Sequence, residues 1–339
     1  MPKIKPTQTI SKPSKPSKPS KPSKPSIEST IINLLRETGH KYNYCIYYKN
    51  DNSMIKNFKL FKQLGRNLIS GNAKVFAIEY NGLKIAVKIF IYEKHDASYQ
   101  QALKELQILR IIESLSENII HFPNIYLMDE CPIKFEESQI ASINAQFPYI
   151  ADIINHKYLL VFTELKDGTL HDFILSQLEH LSLNISYNLI IQIIFAIYFF
   201  HKYTNHIHND LHNGNILFKV YDNNLNIKYS LNGKNYVYVD NNNVLLTISD
   251  FDSCSIITSF DEIKSDYYRA LGTFNIGSIQ TKSLLSDSTT SARFKNKLNI
   301  IYDFYIIIVR FLRTSTNEDD FINKFINYCI ENSYISELR

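Results

Sequence analysis

The spacing of apolar and polar positions changes period along the chain. Residues 57–65, 74–80 and 83–91 alternate in short runs, the last two separated by Asn81-Gly82. A two-residue period marks half-buried strands, and Asn-Gly between two such runs marks a tight hairpin. Residues 97–115 switch to helical spacing, with Leu103, Leu106, Leu109, Ile112 and Leu115 on one face. Two more strands are expected at 123–128 and 157–164, and a first helix at 27–37. From about Thr169 helical patterns dominate, interrupted by extended runs between Ile216 and Ile248. The order predicts an α+β fold: a smaller β-rich unit over 57–164 and a larger helical one over 165–339, joined at 164–168. The most apolar run, 187–200, is shorter than the roughly 20 residues that span a bilayer and reads as a buried helix.

Composition alters this picture mainly at the N-terminus. Residues 1–26 hold seven of the ten prolines and seven lysines but no acid, in a Ser-Lys-Pro repeat. Proline every third residue forbids helix and favours an extended chain with too little apolar surface to fold. The tail is expected to be disordered, with at most weak contacts to partners, and 27–56 to be an extension before the β-rich unit. The net charge is +4, and without the seven tail lysines the other residues carry −3. A mildly acidic body is not built to grip nucleic acid. The four cysteines, Cys45, Cys131, Cys254 and Cys329, are far apart, which argues against a metal knuckle or disulfide framework and for a reducing, intracellular compartment. The chain opens without an apolar leader, and no secretory signal or membrane span is expected.

Three strings carry chemistry. In His206–Phe218, HIHNDLHNGNILF, Asp210 precedes Asn215 by five residues. Phosphoryl transfer asks the protein for a carboxylate to orient the attacking hydroxyl and oxygen ligands for Mg²⁺. Asp210 suits the first task and Asn215 the second. In Thr247–Phe251, TISDF, Asp250 leaves a strand as a second candidate metal ligand. In Ile85–Lys88, IAVK, a lysine sits among apolar neighbours and needs an anionic partner, which Glu105 on the next helix can supply. The histidines 206, 208 and 212 lie close together, but without distant partners they are not expected to hold zinc. No GxxxxGK[ST] string occurs, which argues against a P-loop enzyme.

Taken in order, Lys88, Glu105, HNDLHNGN and SDF resemble the eukaryotic-type protein kinase superfamily over about residues 57–312. The resemblance implies a two-lobed fold, a small β-rich lobe and a larger helical one, using ATP and Mg²⁺. It makes Lys88 the phosphate-binding lysine and Glu105 its partner. Asp210 becomes the catalytic aspartate, Asn215 and Asp250 the metal ligands, and His212 a donor to the transferred phosphate in place of the usual lysine. Ser70, Gly71, Ala73, Val75 and Ala86 would line the nucleotide site. Thr163 would be the gatekeeper, Glu164 and Lys166 the hinge, and Asp303 the aspartate that opens the central helix and braces the catalytic loop. The long insert before Asp250, with Tyr229-Ser230-Leu231-Asn232-Gly233-Lys234, is similar to haspin-type kinases and kinases of large DNA viruses such as poxviruses. A viral source would place the protein in the host cytoplasm or virion.

The pattern departs from the superfamily in places. Ser70 and Ala73 stand at glycine positions of the phosphate loop, with Gly71 available if the loop is one residue shorter. Asp252 replaces the glycine after Asp-Phe, predicting a less mobile activation segment. Asn209 replaces the arginine before the catalytic aspartate, arguing against switching by a phosphorylated loop. No proline follows Pro148, so no Ala-Pro-Glu motif exists. Counting from Asp303, the distal helices are expected to be truncated. The leading expectation is a serine/threonine-protein kinase with unknown protein substrates. Alternatives are a small-molecule phosphotransferase of the aminoglycoside or choline kinase type, and a pseudokinase that only binds.

Overall fold

The computed structural model describes residues 30, 33, 58–64, 73–92, 97–115, 119–131, 157–177, 181–223, 226–231, 236–240, 242–272 and 290–338. The Lys/Pro/Ser tail, nearly all of the 27–56 extension, and Ser70 and Gly71 lie outside the described residues. Of the helix expected at 27–37, Thr30 and Asn33 are described and both are helical.

Five antiparallel strands form the first sheet: β1 (Phe58–Leu64), β2 (Ala73–Tyr80), β3 (Leu83–Tyr92), β4 (Ile125–Cys131) and β5 (Lys157–Glu164), in the order β1-β2-β3-β5-β4. Asn81 and Gly82 both have positive φ, 48° and 83°, as a two-residue hairpin turn requires. The register sets Val75 opposite Lys88, Ala77 opposite Ala86, and Ala86 opposite Thr163. Directly paired residues share a face of the sheet, so Ala73, Val75, Ala86, Lys88 and Thr163 lie on one side. On that side Phe90, Leu159 and Val161 join a core with Ala102, Leu106 and Leu109 of helix α1 (Ala97–Leu115).

The helical part begins after β6 (Gly168–Thr169) and α2 (Leu170–Gln177). Helix α3 (Leu183–Thr204) is longer than its apolar run suggested. At 22 residues it is long and apolar enough to cross a membrane by length and composition alone, but 83% of its apolar window is buried inside the protein. Ser182 caps its start by accepting from the Ile185 N–H. Around α3 pack α4 (Phe260–Leu271), α5 (Thr290–Thr314) and α6 (Glu318–Glu331).

The extended segments resolve into short sheets. Strands β8 (Ile216–Val220) and β11 (Val244–Ile248) pair antiparallel, and β6 joins them. Between them in sequence, β9 (Asn226–Ser230) and β10 (Tyr236–Asp240) form a hairpin joined by β13 (Ser336–Leu338). The insert is seated on α3, where Tyr229 stacks on Phe195 at 4.0 Å. Strand β7 (His206–Ile207) pairs with β12 (Ser255–Ile256). The sequence pattern did not reveal β7, β12 or β13, because strands of two or three residues have no measurable period.

Candidate active site

Lys88 projects from β3 toward α1, where its Nζ donates to both carboxylate oxygens of Glu105 at 2.8 Å. The same ammonium donates to Asp250 Oδ1 at 2.6 Å. Burial would lower the lysine's affinity for its proton, but the two carboxylates raise it above the ordinary value. Burial pushes the Glu105 carboxyl up, against the pull of Lys88. Burial acts on Asp250 in the same sense, yet the Lys88 ammonium holds its carboxyl below the usual range. Asp250 therefore stays an anion.

Antiparallel pairing of β8 with β11 explains how Asn215 and Asp250, 35 positions apart, come to the same end of the hairpin. Ile216 faces Ile248, so the residues just beyond each strand are neighbours. Ser249 donates to the Asn215 carbonyl through its N–H at 2.9 Å and its hydroxyl at 3.0 Å. Asp250 itself has φ 69°, a left-handed backbone uncommon outside glycine and concentrated at functional sites. Phe251 fills the core behind it, stacked on Phe200 at 5.5 Å and beside His208 at 5.4 Å. This packing holds the Asp250 carboxylate toward Lys88.

The catalytic-loop candidates share one turn. Asn215 Nδ2 donates to the Asp210 carbonyl at 2.9 Å and approaches Asp210 Oδ2 at 3.4 Å. His212 Nδ1 accepts from the Gly214 N–H at 3.0 Å, so the neutral ring carries its proton on Nε2, 3.8 Å from Asp210 Oδ2. Gly214 lets the ring sit close, since a Cβ at that position would lie 2.8 Å from His212 Cε1 and displace it. His208 Nε2 donates to the Ser249 carbonyl at 2.9 Å while its buried Nδ1 has no partner. Burial lowers its proton affinity, so it is a neutral scaffold residue. Among the described residues no group of three or more His, Cys, Asp or Glu gathers to hold a metal.

A match decides the family. The model of the family described as "Protein kinase domain" matches residues 58–275. The chain belongs to the protein kinase domain family. No curated protein matches it. Membership makes phosphoryl transfer the reaction of this domain, and the groups gathered around Lys88 and Asp210 are those that the kinase resemblance singled out.

One expectation changes. Asp303 does not brace the catalytic loop: it is exposed on α5. The brace is Asp266, fully buried on α4. Its Oδ2 accepts from the His208 N–H at 2.6 Å and its Oδ1 from the Asn209 N–H at 2.9 Å. The inferred truncation, counted from Asp303, loses its premise, because α5 and α6 both follow Asp266. Glu164 and Lys166, expected at the hinge, make side-chain contacts of their own. Their side chains pair at 2.9 Å, and Lys219 of β8 donates to the other Glu164 oxygen. These groups tie β5 to β8. The Glu164 N–H donates to the Asn124 carbonyl at 3.0 Å, while the Lys166 N–H has no partner among the described residues.

Sequence reasoning missed two further groups, His201 and Arg269, and the bonds that Asn209 makes. Asn209 has φ 65°, and its Nδ2 donates to the Ser253 carbonyl at 3.0 Å and to Ser255 Oγ at 2.8 Å, tying the catalytic loop to the segment after Asp250. His201 lies buried between Asp266 and Glu318. Arg269 reaches within 4.0 Å of Asp210 Oδ1. The signal for α4 was present as the capping box Ser259-x-x-Glu262, with both reciprocal bonds formed.

Proposed function

We propose that the chain is an ATP- and Mg²⁺-dependent kinase of Ser and Thr hydroxyls in intracellular proteins, with the nucleotide between two lobes that divide near residue 164. One observation carries this reading: a single ammonium, Lys88, joins Glu105 of the sheet's helix to Asp250 of the helical part at hydrogen-bond distance. A triphosphate entering there meets a cation already held in place by Glu105.

The donor set fits Mg²⁺. Donation by Nδ2 to the Asp210 carbonyl fixes the Asn215 amide and leaves its oxygen as the coordinating atom. Asp250 uses one oxygen on Lys88 and keeps the other. One carboxylate and one amide oxygen suit a cation that takes its remaining ligands from phosphates and water. Asp210 would orient the acceptor hydroxyl and receive its proton, and His212 Nε2–H would donate to the transferred group. Ala73, Val75, Ala86 and Thr163 share the sheet face of Lys88, where the nucleotide would lie, and the Lys166 N–H, without a partner among the described residues, would be available to an adenine edge. The Asn-Gly-Lys insert and His212 support kinship with haspin-like and large-DNA-virus kinases. A small-amine phosphotransferase would want acid beside Asp210, whereas the described groups flanking its carboxylate are His212 and Arg269.

Asp210→Ala is expected to lower phosphate transfer to a protein acceptor by about 10²–10⁴-fold, the range for a lost general base. The same variant should still be stabilised against heating by ATP with Mg²⁺. Undiminished transfer in Asp210→Ala would refute the assignment.

A further inference from the structure

We propose that Arg269 anchors an anionic group on the acceptor protein, so that the enzyme favours hydroxyls flanked by a carboxylate or phosphate. The inference rests on the protein-kinase reading above and names its substrate class.

The position of Arg269 follows from the brace. Asp266 and Arg269 are three residues apart on α4 and therefore share a face. Asp266 is bonded to the backbone of His208 and Asn209, so the root of Arg269 is fixed relative to the catalytic turn. Its guanidinium extends to 4.0 Å from Asp210 Oδ1, with both side chains about half exposed, 53% and 50%. Asp210 is its one acidic partner among the described residues. That separation is too long for a hydrogen bond, so the contact is a loose ion pair.

The two oxygens of Asp210 face different company. Oδ2 lies toward Asn215 and His212, the side where metal and transferred phosphate would sit. Oδ1 lies toward Arg269, leaving the cation on the acceptor side. A half-exposed pair at this distance contributes little, so the guanidinium can turn to an incoming anion at small cost. It presents a planar fork that matches carboxylate or phosphate. Glu105, Asp210 and Asp250 gather negative charge in the site, which would otherwise repel an acidic acceptor. A fixed cation at its mouth reverses that preference locally.

The test uses the full-length protein and single-serine peptides that differ only by Ala, Asp, phosphoserine or Lys at one flanking position, scanned over three residues on either side. For the best position, wild type should show kcat/KM about tenfold higher for the Asp or phosphoserine peptide than for the Ala peptide, the scale of one charge-assisted contact. In Arg269→Ala the ratio should fall to about one, with the change in KM. Arg269→Lys should retain part of it, and Arg269→Glu should favour the Lys peptide. A ratio near one in wild type, or one unchanged in Arg269→Ala, overturns the assignment of Arg269 alone, provided the Ala peptide is phosphorylated. If wild type is stabilised by ATP with Mg²⁺ yet phosphorylates no peptide, the protein-kinase reading falls and this inference with it. Should Arg269→Ala not fold, the Lys and Glu variants decide the same ratio.

Discussion

At the scale of single residues, Asp266 shows where chemistry in this chain is concentrated and where it escapes the sequence. One buried carboxylate satisfies two backbone N–H groups of the catalytic turn and one ring nitrogen of His201. It holds Asn209 in a left-handed conformation that a free chain would seldom adopt. Asp266→Asn removes the charge opposite His201 and one acceptor, so stability should fall by about 3–5 kcal/mol, as when one partner of a buried pair is lost. Urea unfolding measures this, and transfer activity should fall with it; a loss under about 1 kcal/mol would show that the turn holds itself. Lys88, Asp210, Asn215 and Asp250 could be picked out because each sits in a string whose spacing reflects a local turn or strand, and Glu105 because a lysine among apolar neighbours calls for an anion on the next helix. Asp266 was not, because Asp303-Phe304 and Asp266-Tyr267 present the same aspartate-before-aromatic pattern. Only burial separates them.

At the scale of elements, the helices α3, α4 and α6 meet around a buried charge. His201 donates through Nδ1 to Glu318 at 2.7 Å and through Nε2 to Asp266 at 2.9 Å, while Tyr267 donates to the same Glu318 oxygen at 2.6 Å. A ring that donates from both nitrogens is an imidazolium. Burial alone would lower its proton affinity, but hydrogen bonds to Asp266 and Glu318 raise its pKa to about 9. The folded pKa lies above the ordinary 6.5, so this contribution is fully present below about pH 6.5 and is lost as pH rises through about 9. The size is on the order of 3 kcal/mol. Unfolding wild type and His201→Gln at pH 6.5, 8 and 9.5 should show their stability difference shrinking with pH. A constant difference would mean that the ring packs without its charge. His121 has the opposite sense: burial lowers its pKa to about 4, so its contribution is present above 6.5 and lost as pH falls through 4. The strands and long helices were readable from apolar period. The bonds that join them were not, since His201 lies on a helix buried nearly all round, where no polar face marks it.

At the scale of the whole molecule, sheet and helical part meet through groups that double as the site. His121, in the loop before β4, accepts the Tyr229 hydroxyl on Nε2 at 2.6 Å and donates from Nδ1 to the Leu246 carbonyl at 2.7 Å. It thereby locks the sheet's loop to the insert and to the strand that delivers Asp250. Lys88 adds the second tie, between α1 and the residue after that strand. Its loss would be felt as charge. In Lys88→Met, buried Glu105 and nearby Asp250 face each other without a cation. Leaving one buried charge uncompensated costs about 3–5 kcal/mol, and the chain can escape part of it by protonating Glu105, whose carboxyl burial already pushes up. An acid whose folded pKa is raised binds its proton more tightly in the native state, so lowering the pH should restore stability to Lys88→Met. The expected series is a large deficit at pH 8, a smaller one at pH 5.5, and recovery of most of it at pH 8 in Lys88→Met/Glu105→Gln, where the fully buried carboxylate is gone and only the partly exposed Asp250 keeps a charge. A deficit that is independent of pH and untouched by Glu105→Gln would show that Lys88 supports the fold through its aliphatic stem and not as the cation that joins the two parts. The same variants separate stability from nucleotide binding. The double variant should regain most of the lost unfolding midpoint and still gain nothing from ATP with Mg²⁺, because its carboxamide replaces a carboxylate and its thioether cannot hold a phosphate.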